Sequence, residues 1–139
     1  MATFNKFNCF TLDLASKKHD LSSDTIKVLL TNTAPVATNA VLTDITEIAA
    51  GNGYATGGNQ ATVASLAQAS GVTKLVLNNP TAWQAVGAVG PFRYAVVYNS
   101  TSTAKNLIGW ADYGSSMTLG SGDQFQVQFD ATNGAITVS

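Results

Sequence analysis

The sequence predicts a mainly β fold, in which residues 1–139 form a single antiparallel β-sandwich or jelly roll of about seven or eight strands. Short runs of alternating apolar and polar residues recur along the chain, and turn-forming residues separate them about every 8–12 residues. β-branched and aromatic residues fill those runs, as is typical of strands. Apolar residues make up 45% of the chain, which is ordinary for a globular domain with its own core.

Residues 4–16 fit either a short helix or a strand. Phe4, Phe7, Phe10 and Leu14 recur at helical spacing, whereas Phe10, Leu12 and Leu14 also alternate with polar residues, as in a strand. We favour the helix, because two consecutive lysines follow and cations suit a helix C-terminus.

The first half of the chain also carries strands and one glycine-rich loop. Alternation predicts the first clear strand at residues 25–32, which a proline-containing turn ends. The elements that follow are a helical turn at residues 40–48, a loop at 50–60, and strands at 61–69, 74–78 and 81–86. Four glycines in the loop predict a flexible connection.

Residues 91–99 are predicted to be the central strand. Phe92, Tyr94, Val96 and Tyr98 fall on one face of an extended chain, and the run is rich in aromatic and β-branched residues. Further strands are predicted at residues 106–112, 117–119, 124–130 and 135–138, with a break at Gly114-Ser115-Ser116 between the first two.

The last two strands are expected to form a hairpin. Phe125, Val127 and Phe129 alternate with polar residues and should face inward. Asn133-Gly134 follows this run, and Asn-Gly between alternating segments predicts a type I′ turn.

Charge is sparse and balanced. Charged residues are 11% of the chain, against about 25% in a typical soluble domain. Seven basic residues stand against eight acidic ones, and there is no basic cluster beyond two adjacent lysines. A nucleic-acid partner is therefore not expected. A surface of Ser, Thr, Asn, Gln and Gly suits packing against other proteins.

Neither secretion nor a membrane is expected. Cys9 is the only cysteine, so a disulfide scaffold within the chain is excluded. Polar residues interrupt the apolar ones near the N-terminus, unlike a signal peptide. The uncharged span at residues 48–73 is too rich in Gly, Asn, Gln, Thr and Ser for a membrane helix. We expect synthesis and folding in a reducing cytoplasm.

No residue set predicts catalysis or metal binding. Cys9 and His19 could form a nucleophilic dyad, but a turn histidine and an unrelated apolar cysteine are the favoured interpretation. One Cys and one His do not complete a zinc site. Asp112, Asp123 and Asp130 lack the spacing of a calcium loop. We therefore assign no catalytic, cofactor-binding or metal-binding residue and no cofactor, and we expect no enzyme activity.

Three further patterns have an ordinary structural interpretation. The glycines at positions 51, 53, 57 and 58 lack the spacing and the following Lys-Ser/Thr of a phosphate-binding loop. Asn99-Ser100-Thr101 matches a glycosylation acceptor, but without a secretory signal it indicates only a surface turn. Five aromatic residues could form a sugar-stacking platform, but in a sandwich most should belong to the core: Trp83, Tyr94, Tyr98, Trp110 and Tyr113.

Several segments resemble a family of small structural proteins of tailed-bacteriophage virions. These segments are DTIKVLLTNTAPVAT, EIAAGNGY, GPFRYAVVYN, LIGWADYGSSMTL and SGDQFQVQFDATNGAITVS. The resemblance extends over nearly the whole chain, and the combination is more specific than any one segment. Members of this family are similar to jelly-roll capsid decoration, or cement, proteins, and the family brings no catalytic or metal-binding residues.

The resemblance implies a virion structural protein, made in the host bacterial cytoplasm and incorporated into the particle. As a decoration protein it would bind and stabilise the major capsid shell. The alternative is a tail or host-recognition component that binds other virion proteins or a surface glycan. In either role we expect a homo-oligomer, a dimer or a trimer, because repeated parts of a particle favour symmetric contacts.

Overall fold

The structure is a computed structural model that describes residues 3–138. Met1, Ala2 and Ser139, which the predicted single domain includes, lie outside the described residues. The predicted fold class is confirmed, since the described part of the chain is an antiparallel β-sandwich with ten strands, one short α-helix and one 3-10 turn. Five of these ten strands are only two to four residues long.

Three antiparallel sheets build the sandwich. The largest has five strands in the order β1 (Thr3–Lys6), β8 (Leu107–Leu119), β7 (Val89–Asn99), β2 (Ile26–Thr31) and β3 (Asn59–Gln60). The second has the order β10 (Ile136–Val138), β5 (Val72–Leu77) and β4 (Val63–Ala69). The third is the short pair of β6 (Trp83–Gln84) and β9 (Gln124–Phe125).

The main core lies between the five-stranded sheet and the two smaller ones. Every second residue of β2 faces it, as the alternation predicts: Ile26, Val28 and Leu30 are buried. The smaller sheets contribute Leu75, Trp83 and Ile136, among others. Burial of such apolar side chains is the main stabilising contribution to the fold.

A second apolar cluster covers the opposite face of the five-stranded sheet. Val96 and Tyr98 of β7 pack there with Leu29 of β2, beneath the N-terminal segment and the 3-10 turn at Leu42–Asp44. Alternation predicts Phe92 on the same face as Val96, but this prediction is wrong, because Phe92 packs in the main core. The pairing of β7 with β8 shifts register between Phe92 and Tyr94, and this irregularity exchanges the two faces. The position of β7 in the middle of its sheet is as predicted.

The ambiguous N-terminal segment contains both predicted conformations. β1 pairs with β8, and helix α1 (Phe10–Ala15) follows it. The helix ends before the two lysines, where Lys17 adopts a φ of +65°. The helical turn predicted at residues 40–48 is reduced to the single 3-10 turn, whose Asp44 carboxylate accepts hydrogen bonds from the N–H groups of Ala40 and Val41.

Two predictions near the C-terminus are wrong. β8 is one strand rather than two, and its residues around Gly114 form an irregular bulge opposite β7 instead of a break. Asn133-Gly134 does not form a hairpin, because β10 pairs with β5 and Asn133 is not among the described residues with positive φ. The carboxylate of Asp130 instead accepts hydrogen bonds from the N–H groups of Thr132 and Asn133.

The segment at residues 124–130 is only partly a strand. Gln124–Phe125 forms β9, and the residues after it have no regular strand pairing. The predicted alternation nevertheless holds, since Val127 and Phe129 are buried in the main core and Phe125 packs against it. The side chains therefore follow the sequence pattern even where no regular pairing of the backbone continues.

Candidate interaction surface

Charge is absent from one long stretch of the chain. Residues 48–73, between Glu47 and Lys74, contain no Asp, Glu, Lys or Arg. This stretch forms the loop at residues 50–60, strands β3 and β4, and the turn into β5. We call the loop, strand β4 and the turn into β5, all within residues 48–73, the uncharged surface.

Strand β4 and the turn after it are the most exposed part of this surface. Every residue from 64 to 72 is exposed, and Leu66 and Val72 each retain 38% of their accessible area. Among residues 3–138, strand β4 pairs with β5 alone, so its other side is an open sheet edge. Exposed and uncharged strands at a sheet edge readily pair with another strand.

The loop at residues 50–60 is fixed to the sheet by a carboxylate. The Oε2 atom of Glu47 accepts hydrogen bonds from the Tyr54 hydroxyl at 2.6 Å and from the Gly57 N–H at 2.7 Å. The Tyr54 hydroxyl in turn accepts from the Leu30 N–H of β2 at 3.0 Å, and the Tyr98 hydroxyl donates to the Gly57 carbonyl at 2.6 Å. The flexible connection predicted here is instead a loop held at several points.

Both tyrosine hydroxyls remain protonated donors. Burial raises the pKa of Tyr54 well above its usual range, and the hydrogen bond to Glu47 raises it further. Burial raises the pKa of Tyr98 to about 12, with a smaller contribution from the Glu47 charge. The loop therefore keeps these hydrogen bonds across the physiological pH range.

The glycines of this loop serve close packing rather than phosphate binding. A Cβ at Gly53 would collide with the Gln84 carbonyl, and one at Gly58 would collide with the Val28 carbonyl. The Gly57 N–H, which a phosphate would need, already donates to Glu47. A carboxylate at this place also disfavours a second anion.

Cys9 and His19 have separate partners and do not hydrogen-bond to each other in the described structure. The Cys9 thiol lies 3.7 Å from the Asn39 and Ala40 carbonyls, and burial together with Asp13 raises its pKa to about 11. A thiol with that pKa is a poor nucleophile. The structure therefore does not form the dyad considered from the sequence.

His19 is almost completely buried and lies against Phe10, with its Nδ1 atom 3.0 Å from the Asn99 amide nitrogen. Burial lowers the pKa of His19, although Asp13 and Asp24 act in the opposite direction. The neutral imidazole accepts from Asn99 at Nδ1, and its Nε2 atom is buried without a hydrogen-bond partner among the described residues.

Asn99 is a structural residue and not an exposed sequon. Its side chain has no accessible surface. Its Nδ2 atom donates to Asp24 at 2.6 Å, while its Oδ1 atom accepts from the N–H groups of Thr101 and Ser102. The prediction of a surface turn applies to the residues after it, but Asn99 itself fastens that turn to the loop before β2.

The three aspartates named in the sequence analysis have separate local roles. Asp112 forms a two-point ion pair with Arg93, at 2.8 and 3.1 Å, which lowers the pKa of this carboxyl. Asp123 accepts from the Gly120 N–H at 2.8 Å. Asp130 organises the turn before β10, as described above. No group of three potential metal ligands occurs within residues 3–138.

The five candidate aromatic residues do not form an exposed platform. Trp83, Tyr94 and Tyr98 are buried, as the core interpretation predicts, and Trp110 and Tyr113 are partly buried. Trp83 stacks with Tyr54 at a ring distance of 5.9 Å and with Phe125 at 6.2 Å. These rings fix the short β6–β9 pair against the main sheet.

A mostly apolar cleft of about 460 Å³ lies between the three-stranded sheet and the segment from Leu14 to Leu21. Leu66, Leu75 and Ile136 of the three-stranded sheet form one wall, and Leu14, Leu21 and His19 contribute to the other.

None of the helices in the described part of the chain is both long and apolar enough to cross a membrane.

Comparison of the chain with protein-family models, with curated proteins and with solved structures gave no match. Two features of this surface have no clear signal in the sequence. One is the open edge of β4, because the neighbours of a strand are not encoded in its own alternation. The other is the role of Glu47, for which the only local signal is its position directly before the uncharged stretch.

Proposed function

We propose that this chain acts by binding alone, as a structural component of a tailed-bacteriophage virion that decorates and stabilises the capsid shell. The observation that carries the proposal is the uncharged surface at residues 48–73, which is exposed on the β4–β5 hairpin and held in place at the loop. The family resemblance given above supports the same role.

An uncharged surface suits a protein that is present in many adjacent copies. Like charges on neighbouring copies would repel one another across a crowded shell, and residues 48–73 contribute none. Ser, Thr, Asn and Gln side chains can exchange hydrogen bonds with water for hydrogen bonds with a neighbour. Their burial costs far less than burial of an unpaired charge.

The fixed loop also favours binding. A loop that is already ordered loses little conformational freedom when a partner covers it, so more of the contact energy contributes to affinity. Glu47, Tyr54 and Tyr98 supply this order from beneath the loop. The exposed side chains of the loop are therefore presented in a defined arrangement.

Stabilisation of a shell follows from linked binding. If one copy touches two shell subunits, its binding free energy is lost when those subunits separate, and this loss opposes opening of the shell. Many weak contacts then sum over the particle, so no single copy needs high affinity. The partner in this role is the major capsid protein.

Quantitative mass spectrometry of purified virions tests the proposal, with electron microscopy to locate the chain. The expected result is a copy number comparable to that of the major capsid protein, with density on the outside of the shell. A few copies at the tail tip would replace the decoration role with tail or host recognition. Absence from the particle would overturn both roles.

A further inference from the structure

The open edge of β4 leaves specific backbone groups without a strand partner. Ser70 and Gly71 have φ values of +52° and +81°, and they join β4 to β5 as a two-residue turn of the type I′ kind. The residues flanking such a turn, Ala69 and Val72, exchange backbone hydrogen bonds, and this exchange recurs at every second pair. The N–H and C=O groups of Leu66 and Gln68 therefore point away from β5, towards the open edge.

The other side of the hairpin agrees with this assignment. Leu66 is paired with Leu75, and the Leu75 carbonyl accepts from the Ala135 N–H at 2.8 Å, on the side of β10. The polar backbone groups of Leu75 thus face away from β4. Those of Leu66, its neighbour across the strand pair, face away from β5.

No common device protects this edge. Proteins usually block an open strand with charged side chains, with proline, with a bulge or with very short length. Residues 64–72 contain neither a charge nor a proline, and the only irregularity of β4 lies at its start, between Val63 and Ser65. The segment from Ser65 to Ala69 is regular, exposed and centred on Ala67.

We infer that two copies of this chain associate through antiparallel pairing of their β4 strands, about a two-fold axis at Ala67. Leu66 of each copy then lies opposite Gln68 of the other, and the four residues exchange four backbone hydrogen bonds. Two three-stranded sheets become one six-stranded sheet. An antiparallel strand is complementary to itself about such an axis, so the same edge serves both copies.

The side chains at this contact permit the pairing. Ser65, Ala67 and Ala69 alternate along one face of β4, and all three are small. Two copies of this uncharged strand bring no like charges together. Five paired residues span only about 17 Å, well short of a standard interface, so the association is reversible and favoured by high local concentration.

Disulfide capture tests the register in a Cys9→Ala background. Residues paired on the axis without mutual hydrogen bonds have Cα atoms about 4.5 Å apart, within the range for a disulfide. The variant Ala67→Cys should therefore cross-link under mild oxidation. The matched variant Ala69→Cys is equally exposed, but its two copies would lie about 14 Å apart across the same axis and should not cross-link.

Sedimentation of the cysteine-free protein provides the second readout. Its mass should rise with concentration from 14.4 kDa towards twice that value. Ala67 is paired with Lys74 of β5, so a glutamate at position 67 is tested in a Lys74→Gln background. Ala67→Glu then places two carboxylates opposite each other and should leave only monomer, whereas Lys74→Gln alone and Ser115→Glu, on the exposed bulge of β8, should behave like the parent. A parent that stays monomeric, or equal cross-linking of both cysteine variants, overturns the inference. The inference concerns the purified protein and does not depend on the virion role.

Discussion

Replacing Tyr54 by phenylalanine should lower the free energy of unfolding by about 2–4 kcal/mol. The Tyr54 hydroxyl occupies the place of a strand partner for β2, because β3 pairs with Lys27 and Val28 but does not reach Leu30. The Leu30 N–H would lose its acceptor within a fully buried region, where an unmade hydrogen bond costs about 1–3 kcal/mol. The loss of the hydrogen bond to the Glu47 carboxylate adds to this cost.

Tyr113→Phe is the matched control for this substitution. The Tyr113 ring packs on Phe125 at 5.3 Å, and its hydroxyl makes no hydrogen bond to the described residues. Removal of that hydroxyl should change stability by no more than about 0.5 kcal/mol. Urea unfolding of the two variants and the wild type at pH 7 measures the difference. Equal stability of the two variants would refute the role assigned to Glu47 and Tyr54 in fixing the loop.

Four further substitutions or measurements address the core, the last turn and the buried titratable groups. Phe129→Ala should lower the free energy of unfolding by about 3 kcal/mol. This is at the lower end for a core phenylalanine, because Phe129 borders a cavity. The neighbouring residue Gln128 is exposed, so Gln128→Ala should have little effect in the same urea titration. Gly134→Val should cost about 1–3 kcal/mol in a thermal melt, since position 134 has a φ of +84° and a Cβ there would meet atoms of β5; an unchanged melt would contradict this. Burial lowers the pKa of His19, so its contribution to stability is present above the unfolded value of about 6.5 and is lost as the pH falls from there through the lower pKa of the folded protein. The urea midpoint should therefore fall further between pH 7.5 and pH 5.5 in the wild type than in His19→Gln, and parallel changes would exclude His19 as the cause. The pKa of Cys9 is about 11, against 9.0 for a free thiol, and only the thiolate reacts with an aromatic disulfide. At pH 8 the reaction should therefore be roughly 100-fold slower in the folded than in the urea-unfolded protein. Equal rates would show that the environment of Cys9 is not as described.

The strands with local signals could be predicted from the sequence. Alternation of apolar and polar residues identified β2, and the run of aromatic and β-branched residues identified the central strand β7. The inward direction of Val127 and Phe129 was also predictable, even though their segment is not a regular strand. Side-chain burial is encoded locally, whereas the hydrogen-bond partner of the backbone is not.

The hairpin predicted at Asn133-Gly134 does not form, and it shows where local reasoning fails. Its turn signal is strong, but β10 gains a partner in β5 and places Ile136 in the main core. The type I′ geometry is found instead at Ser70-Gly71, which carries a weaker sequence signal. Tertiary pairing thus outweighed the local preference of the turn.

The surface features depend on contacts between distant residues. Glu47 acquires its role from Tyr54 and Gly57, and Asn99 acquires its role from residues near position 24 and from the turn after it. Burial of a polar side chain requires partners from several segments. Such sets cannot be identified from spacing along one sequence.

Binding of the purified protein to particles that lack it tests the central claim most directly. Particles of a phage deleted for this gene would be titrated with the protein at several salt concentrations, and bound copies would be counted by sedimentation. Binding should saturate at many sites per particle. Because the proposed surface carries no charge, the dissociation constant should change little with salt. An absence of saturable binding, or an affinity that falls steeply as salt rises, would contradict the account.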